Sequence, residues 1–306
     1  MIHLSSFGPT PLYLLETDEN GNRFFIKRED MLPYSFGGNK ARIGAEYLSD
    51  MLEKGCTHMV AYGNARSNLC RVLANLCAGE GLPITIITPA DDDGKQREAF
   101  NGKLCESFGA KIVPCLKTGV AETVDRVLEG IRQNGETPYY IYGDRTGQGN
   151  RAVPVRAYQK AWTEIRSQGT FDKIVLALGT GMTQAGLLCG MKNDVHKPEV
   201  LGISIAREES AARGHIQAYI NACMGEEASA EIRICDRFRS GYGQYDERIA
   251  DCIHQVMAKH GIPLDGTYTA KAYYGMKTLA REENWQNQKI LFIHTGGTPL
   301  FFDSQR

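Results

Sequence analysis

The chain has 306 residues, with 35 basic against 36 acidic side chains, a formal charge of -1 and 42% hydrophobic content. That balance fits a globular protein and excludes a basic patch for nucleic acid or an acidic tail, and apolar runs such as Ile84-Thr85-Ile86-Ile87 are far too short to span a bilayer. Nine cysteines show no metal-type pairing, and Met1–Phe7 lacks the basic start and long apolar stretch of a secretion leader. Together they predict reduced thiols, a cytoplasmic setting and no metal centre.

In chain order, Phe25–Asp30 reads as a strand that delivers the chain to Gly37-Gly38, and Lys40 stands where an amphipathic helix begins. That helix spans 41–54, with Ile43, Tyr47, Leu48, Met51 and Leu52 at helical spacing and Gly55 as its stop. Strands at 57–62, 84–88, 111–115 and 139–142 alternate with helices at 68–79, 96–108 and 120–133. The glycine-rich run 143–150 marks a domain crossing. Beyond it come a helix at 155–168, a strand at 173–178, a helix at 184–191 and a strand at 200–205. Helices near 207–222, 245–260 and 270–283 and a strand at 290–293 complete the chain. Alternation of this kind predicts an α/β protein with two mainly parallel, open, twisted sheets flanked by helices, and an active site between the two domains. Ligands of such sheets bind beyond the carboxyl ends of the strands, which selects the loops 63–68, 143–150, 179–183 and 294–299.

Chemistry can be read from five positions, each against a plainer alternative. A lysine held against bare backbone at Lys40 loses water, which lowers its pKa and leaves an amine able to form a Schiff base; a surface lysine at a turn is the alternative. The loop Gly179-Thr180-Gly181-Met182-Thr183 follows a strand and opens a helix, so its N–H groups and hydroxyls suit a phosphate, or simply a tight turn. It is no dinucleotide motif: Gln184 holds the third glycine position, and Ser204-Ile205-Ala206-Arg207 offers no acid after the next strand. Ser67-Asn68 suits either a ligand or a helix cap, with capping favoured by spacing alone. Thr295 offers a neutral hydroxyl at a strand end, where a two-glycine turn is the simpler reading. Tyr268 suits either an aromatic ligand or the core.

In sequence order, Gly-Gly-Asn-Lys40, Ser67-Asn68, the Gly/Thr cup, Asp265-x-x-Tyr268-Thr269-x-Lys271-Ala272 and His294-Thr295-Gly296-Gly297 resemble the fold-type II pyridoxal-phosphate enzymes. The resemblance is specifically to the D-cysteine desulfhydrase and 1-aminocyclopropane-1-carboxylate deaminase family, and runs from Pro9 to Pro299. It implies a tryptophan synthase β-like fold, with residues 1–45 and 151–306 as a large cofactor-binding domain and 46–150 as a small one. It also implies a homodimer, pyridoxal 5'-phosphate as cofactor and a small amino acid as substrate.

By the same resemblance, Lys40 holds the cofactor and shuttles the α-proton, Asn68 bonds its phenolic oxygen, and Ser67 helps bind the substrate carboxylate or move a proton. Gly179, Thr180, Gly181, Met182 and Thr183 cradle the phosphate, Tyr268 stacks near the ring, and Thr295 faces the pyridine nitrogen. The cyclopropane-opening branch carries a glutamate after the tyrosine, facing that nitrogen, where this chain has Thr269. A neutral partner leaves a weaker electron sink, which favours α,β-elimination with release of pyruvate and ammonia. The alternatives are β-replacement of the cysteine-synthase type, cyclopropane deamination, and a silent or partner-dependent homologue. Departures from the family pattern fall at Arg66, Leu69, Met182 and Gly266, where the family's usual Asp-Pro-x-Tyr reads Asp265-Gly266-Thr267-Tyr268.

Overall fold

The computed structural model describes residues 8–90, 99–225 and 230–303. The start Met1–Phe7 and the first residues of the helix expected at 96–108 lie outside the described residues. In chain order the elements are β1 (Leu12–Thr17), β2 (Arg23–Arg28), α1 (Asn39–Glu53), β3 (His58–Tyr62), α2 (Asn68–Glu80), β4 (Ile84–Pro89), α3 (Phe100–Ser107), β5 (Lys111–Cys115), α4 (Val120–Gln133) and β6 (Pro138–Tyr140). There follow α5 (Val153–Gln168), β7 (Lys173–Leu178), α6 (Met182–Gly190), β8 (Glu199–Ser204), α7 (Glu209–Met224), β9 (Arg233–Cys235), α8 (Glu247–His260), α9 (Thr269–Glu282), β10 (Lys289–His294) and α10 (Thr298–Asp303).

The chain divides into two compact units. One runs from Lys40 to Pro154 and takes in Pro33–Ser35; the other holds the chain up to Leu32, Phe36–Asn39 and everything from Val155 on. The smaller unit carries a four-stranded sheet in the order β5-β4-β3-β6, parallel throughout. Val60, Ile87, Val124, Ile131 and Tyr140 fill its core beneath α4. Asp50 sits at its edge, accepting from Tyr139 Oη and from Lys54, each at 2.6 Å.

The larger unit carries a six-stranded sheet in the order β1-β2-β10-β7-β8-β9. Only β1 runs antiparallel to its neighbour. One apolar cluster joins Phe24, Val175, Leu201, Ile203 and Phe292 of the strands to Ile253 of α8 and Met276 of α9. A second gathers Leu178, Ala185, Ile216, Ile220 and Ile234 around α6 and α7. Near-continuous burial along β7 and β8 is what a parallel strand covered on both faces requires. The buried Lys27 ammonium finds its counter-charge in Glu164, at 2.6 Å.

The sheet order explains where function can gather. Strands β2, β10, β7 and β8 are neighbours and run parallel, so their carboxyl ends lie side by side. From those ends spring the turn before α1, the Thr295-Gly296-Gly297 loop, the Gly179–Thr183 cup and the Ser204–Arg207 segment. Most of the expected elements are present; β9 and α10 are added to them, and others shift or shorten. The strand at 139–142 shortens to Pro138–Tyr140, because the chain turns away at Gly143, whose φ is +84°. Strand β1 escapes periodicity, since its residues are mostly half-buried or exposed at a sheet edge. Helices α6 and α1 each begin two residues earlier than the spacing suggests, which brings Met182-Thr183 and Asn39-Lys40 into first turns. Among the described residues no helix is long and apolar enough to cross a membrane.

Edge strand β1 is held by charge. Glu16 accepts from Lys277 at 2.8 Å and from Tyr273 Oη at 3.2 Å, and pairs with Lys259. Burial raises its carboxyl, but the hydrogen bonds from Lys259 and Lys277 outweigh it and bring the pKa from 4.5 down to about 2. A carboxyl with a lower pKa folded than unfolded stabilises the protein above its unfolded value, and that gain is lost as pH falls from 4.5 toward 2. Glu16→Gln is therefore expected to cost about 1 kcal/mol at pH 7, allowing for solvent screening, in urea unfolding. The deficit should shrink steadily on titration toward pH 2.

Candidate active site

The turn before α1 is built from backbone that tolerates almost no side chain. Tyr34, Ser35, Phe36, Gly37 and Gly38 all take positive φ in succession, at 74°, 49°, 64°, 67° and 98°. Three of these are not glycine, and a left-handed residue costs roughly 1–2 kcal/mol, so the run must be held from outside. Gly38 N–H donates to the Glu29 carbonyl at 2.8 Å, and Asn39 N–H to the Thr295 carbonyl at 3.0 Å. Glu29 is itself fixed, accepting from Thr10 Oγ1 and Tyr158 Oη, each at 2.7 Å. A Cβ on Gly38 would lie 2.9 Å from the Thr295 oxygen, and one on Gly296 would lie 2.4 Å from the Gly38 Cα. This contact seats Lys40 in the first turn of α1. Its amine makes no hydrogen bond or ion pair among the described residues, and burial lowers its pKa from 10.5 to about 8.

Beyond β7 lies a cradle of unspent donors. Gly181 caps α6 at a φ of +92°, and a Cβ there would meet Ile216 at 2.7 Å, so the position takes only glycine. The first N–H groups of α6 have no acceptor within the helix and carry its positive end. Thr180 keeps its hydroxyl free, while Thr183 Oγ1 accepts from Asn39 Nδ2 at 2.9 Å. Asn39 thus ties the cradle to the Thr295 loop. The Thr295 hydroxyl makes no bond within the protein among the described residues. Arg207, beyond β8, donates to the Gly179 carbonyl and brings positive charge to the rim.

Tyr268 lies beside the cradle, since a Cβ on Gly179 would sit 3.1 Å from its ring. Its hydroxyl donates to Tyr242 Oη at 3.0 Å, and the rings meet edge to face with centroids 5.7 Å apart. Burial drives the Tyr268 phenol well above its ordinary pKa, so it works as a neutral hydroxyl. Buried Lys271 donates to the Gly241 carbonyl at 3.0 Å and so pins the Tyr242 loop. The start of α9 is organised by Asp265, which accepts from the N–H groups of Thr267, Tyr268 and Thr269. Thr269 Oγ1 donates to the Asp265 carboxylate and accepts from Asp265 N–H, each at 2.8 Å.

In the smaller unit, Ser67 caps α2 by accepting from Cys70 N–H at 3.2 Å, as its spacing suggests. Asn68 follows as the first helical residue. Its Oδ1 accepts from Asn101 Nδ2 at 2.9 Å and from Arg71 Nη2 at 3.3 Å, which leaves its Nδ2 as an unspent donor.

A protein-family model described as pyridoxal-phosphate dependent enzyme matches residues 4–296. The chain belongs to this family. Two D-cysteine desulfhydrases, from Klebsiella pneumoniae and Yersinia enterocolitica, are each 29% identical to it, over 96% of this chain and 93% and 92% of theirs. A solved structure described as an ACC deaminase homologue superposes with a TM-score of 0.81 at 29% identity, covering 95% of this chain and 90% of that one. A cysteine synthase from Entamoeba histolytica shares the fold alone, at 18% identity and a TM-score of 0.68.

The residues present fit the pyridoxal-phosphate cofactor of this family. The cradle leaves N–H groups and a hydroxyl without partners, Lys40 offers an unbound amine, and Asn68 offers a free amide nitrogen. Within the larger unit, Gly179–Thr183, Asn39, Thr295 and Tyr268 come together around the cradle; within the smaller unit, Ser67 and Asn68 head one helix. Thr269 stands where the resemblance gives the cyclopropane-opening branch a glutamate. It is fully buried and its hydroxyl is spent on Asp265, so it offers nothing to a ring nitrogen. Tyr242, Arg207, Arg71 and Asn101 escaped the sequence reading. Tyr242 alone carried a signal, an aromatic between two glycines; the others become visible only through their bonds.

A neutral amine is the attacking form, so the pKa sets how this enzyme captures its cofactor. At pH 7.5 a lysine of pKa about 8 is about a quarter neutral, against about a thousandth at the ordinary value. The rate at which apoenzyme captures pyridoxal phosphate, followed by visible absorbance, is expected to rise with pH to a midpoint near 8 and then level off. A midpoint near 10 would refute the assignment of Lys40.

Proposed function

We propose that this chain is a pyridoxal-phosphate-dependent lyase that eliminates the β-substituent of a small amino acid and deaminates it, with D-cysteine the first substrate to test. The observation that carries the reading is the Lys40 amine, on a half-buried side chain, unpaired among the described residues and lowered by desolvation to a pKa of about 8 at the head of α1. The chemistry that the cofactor supplies when bound is an electron sink that makes an α-proton acidic and lets a β-substituent leave. Lys40 holds the cofactor and takes and returns the α-proton at Nζ. Gly179–Thr183 grip the phosphate through backbone N–H groups and hydroxyls, with Arg207 adding charge at the rim. Asn68 Nδ2 donates to the phenolic oxygen, and the neutral Thr295 hydroxyl meets the ring nitrogen. Tyr268, held by Tyr242, bounds the ring, and Ser67 orients the substrate carboxylate.

The balance for D-cysteine is simple: cysteine and one water give pyruvate, ammonia and hydrogen sulfide. Thr269 favours elimination over cyclopropane opening. Asp265 already accepts three N–H bonds and the Thr269 hydroxyl, so no unspent carboxylate stands at the start of α9 to charge the ring nitrogen. The reading extends to a homodimer working in the cytoplasm, in keeping with nine free thiols; light scattering on the purified protein measures the first.

Purified protein is expected to show the visible band of lysine-bound cofactor, and Lys40→Ala to lose both the band and all turnover. A panel of both cysteine enantiomers, β-chloroalanine, serine and the aminocyclopropane acid, read by pyruvate and ammonia release, should give D-cysteine or another β-substituted amino acid first. Preference for the cyclopropane acid would overturn the elimination reading. A new amino acid formed only when a nucleophile is added would replace it with β-replacement.

A further inference from the structure

Arg71 is a cation in the wrong place for stability. It is fully buried, no carboxylate pairs with it among the described residues, and its Nε has no hydrogen-bond partner. Burial lowers its pKa only to about 10, so it carries its charge at neutral pH. A buried charge without a counter-ion lowers stability, and a well-packed apolar side chain in its place is often neutral or stabilising. What the charge touches suggests why it is kept.

Arg71 Nη2 donates to Asn68 Oδ1 at 3.3 Å, and Nη1 donates to Ser35 Oγ at 3.2 Å. Asn101, also fully buried, donates to the same Asn68 oxygen at 2.9 Å and to the Arg66 carbonyl at 2.8 Å. Two donors converge on one end of the Asn68 amide, so that end must be the oxygen, and the amide cannot flip without facing donor to donor. Ser35 lies in the left-handed run that leads to Lys40. One guanidinium therefore reaches both the loop that carries the lysine and the amide that heads α2.

We propose that Arg71 and Asn101 are positioning residues that lock the Asn68 amide with Nδ2 outward as an obligate donor to the cofactor's phenolic oxygen, Arg71 also polarising that donor. This rests on the assignment of Asn68 given above. The lock acts through geometry, by occupying both lone pairs of Oδ1, and through charge, since a donor whose own carbonyl is hydrogen-bonded to a cation is strengthened. Asn101 keeps an unpartnered Oδ1, and Arg71 an unpartnered Nε. Neither atom is satisfied by the fold, as expected of groups placed for the amide they hold.

The test compares Asn68→Ala, Asn101→Ala, Arg71→Gln and Arg71→Lys by two readouts apart from turnover: the cofactor dissociation constant, and the pH midpoint at which the visible band of bound cofactor changes. A strengthened donor to the phenolic oxygen disfavours the protonated form of the chromophore, so weakening that donor should raise the midpoint. Arg71→Gln is expected to raise it by about one pH unit and to weaken cofactor binding about tenfold, with no fall in the apoenzyme's urea midpoint. Arg71→Lys should recover part of both, and Asn101→Ala should weaken binding with a smaller midpoint shift. Arg71→Gln added to Asn68→Ala should change nothing further, as coupling through one amide requires. If Asn68→Ala shifts both readouts while the Arg71 and Asn101 variants shift neither, the lock is wrong and the assignment of Asn68 stands. If Asn68→Ala shifts neither, that assignment fails and the lock falls with it.

Discussion

The contact on which the rest depends is bare backbone against bare backbone. Gly38 and Gly296 pack without room for a methyl group, and from that seat the Asn39 N–H reaches the Thr295 carbonyl. The same asparagine's side chain reaches Thr183 in the cradle. A single turn thereby sets the spacing between three strand ends and fixes where α1, and so Lys40, begins. The strain of five successive left-handed residues is borne by the Glu29 network, whose carboxylate and carbonyl are both bonded. A rigid floor carries a strained loop, the arrangement that holds a reactive side chain in one place.

Sorting polar groups into spent and unspent separates scaffold from chemistry. Asp265, Thr269, Asn101 Nδ2 and the Asn68 oxygen are all engaged within the protein; Lys40 Nζ, Asn68 Nδ2 and the hydroxyls of Thr180 and Thr295 are not. Lys40 and Lys271 show the distinction most plainly. Burial brings both to about pKa 8, yet Lys271 is bound to two backbone carbonyls and acts as a brace. Low pKa alone would not have told them apart. The absence of a partner does.

The sequence shows a great deal of this because parallel α/β folds mark their ligand sites with glycine. Strand β7, the cradle and the Gly-Gly before Lys40 are legible from periodicity and turn chemistry, and the family resemblance follows from their order. Other features could not be read that way. Strand β9 has only three residues, and β1 lies half exposed at an edge where alternation is lost. That the Thr269 hydroxyl is spent on Asp265 could not be read from its position in the sequence. Arg71 reads as an ordinary helix residue, three places after Asn68, until its neighbours are seen to lack any carboxylate.

One departure from the family pattern also constrains how this lineage could change. At Gly266 a Cβ would lie 2.4 Å from the ring of Tyr245. The two positions are therefore coupled: tyrosine at 245 packs over glycine at 266, and any larger residue at 266 requires a smaller one at 245. Substitutions at 245 and 266 must therefore be made in order, 245 before 266, and their effects will not simply add.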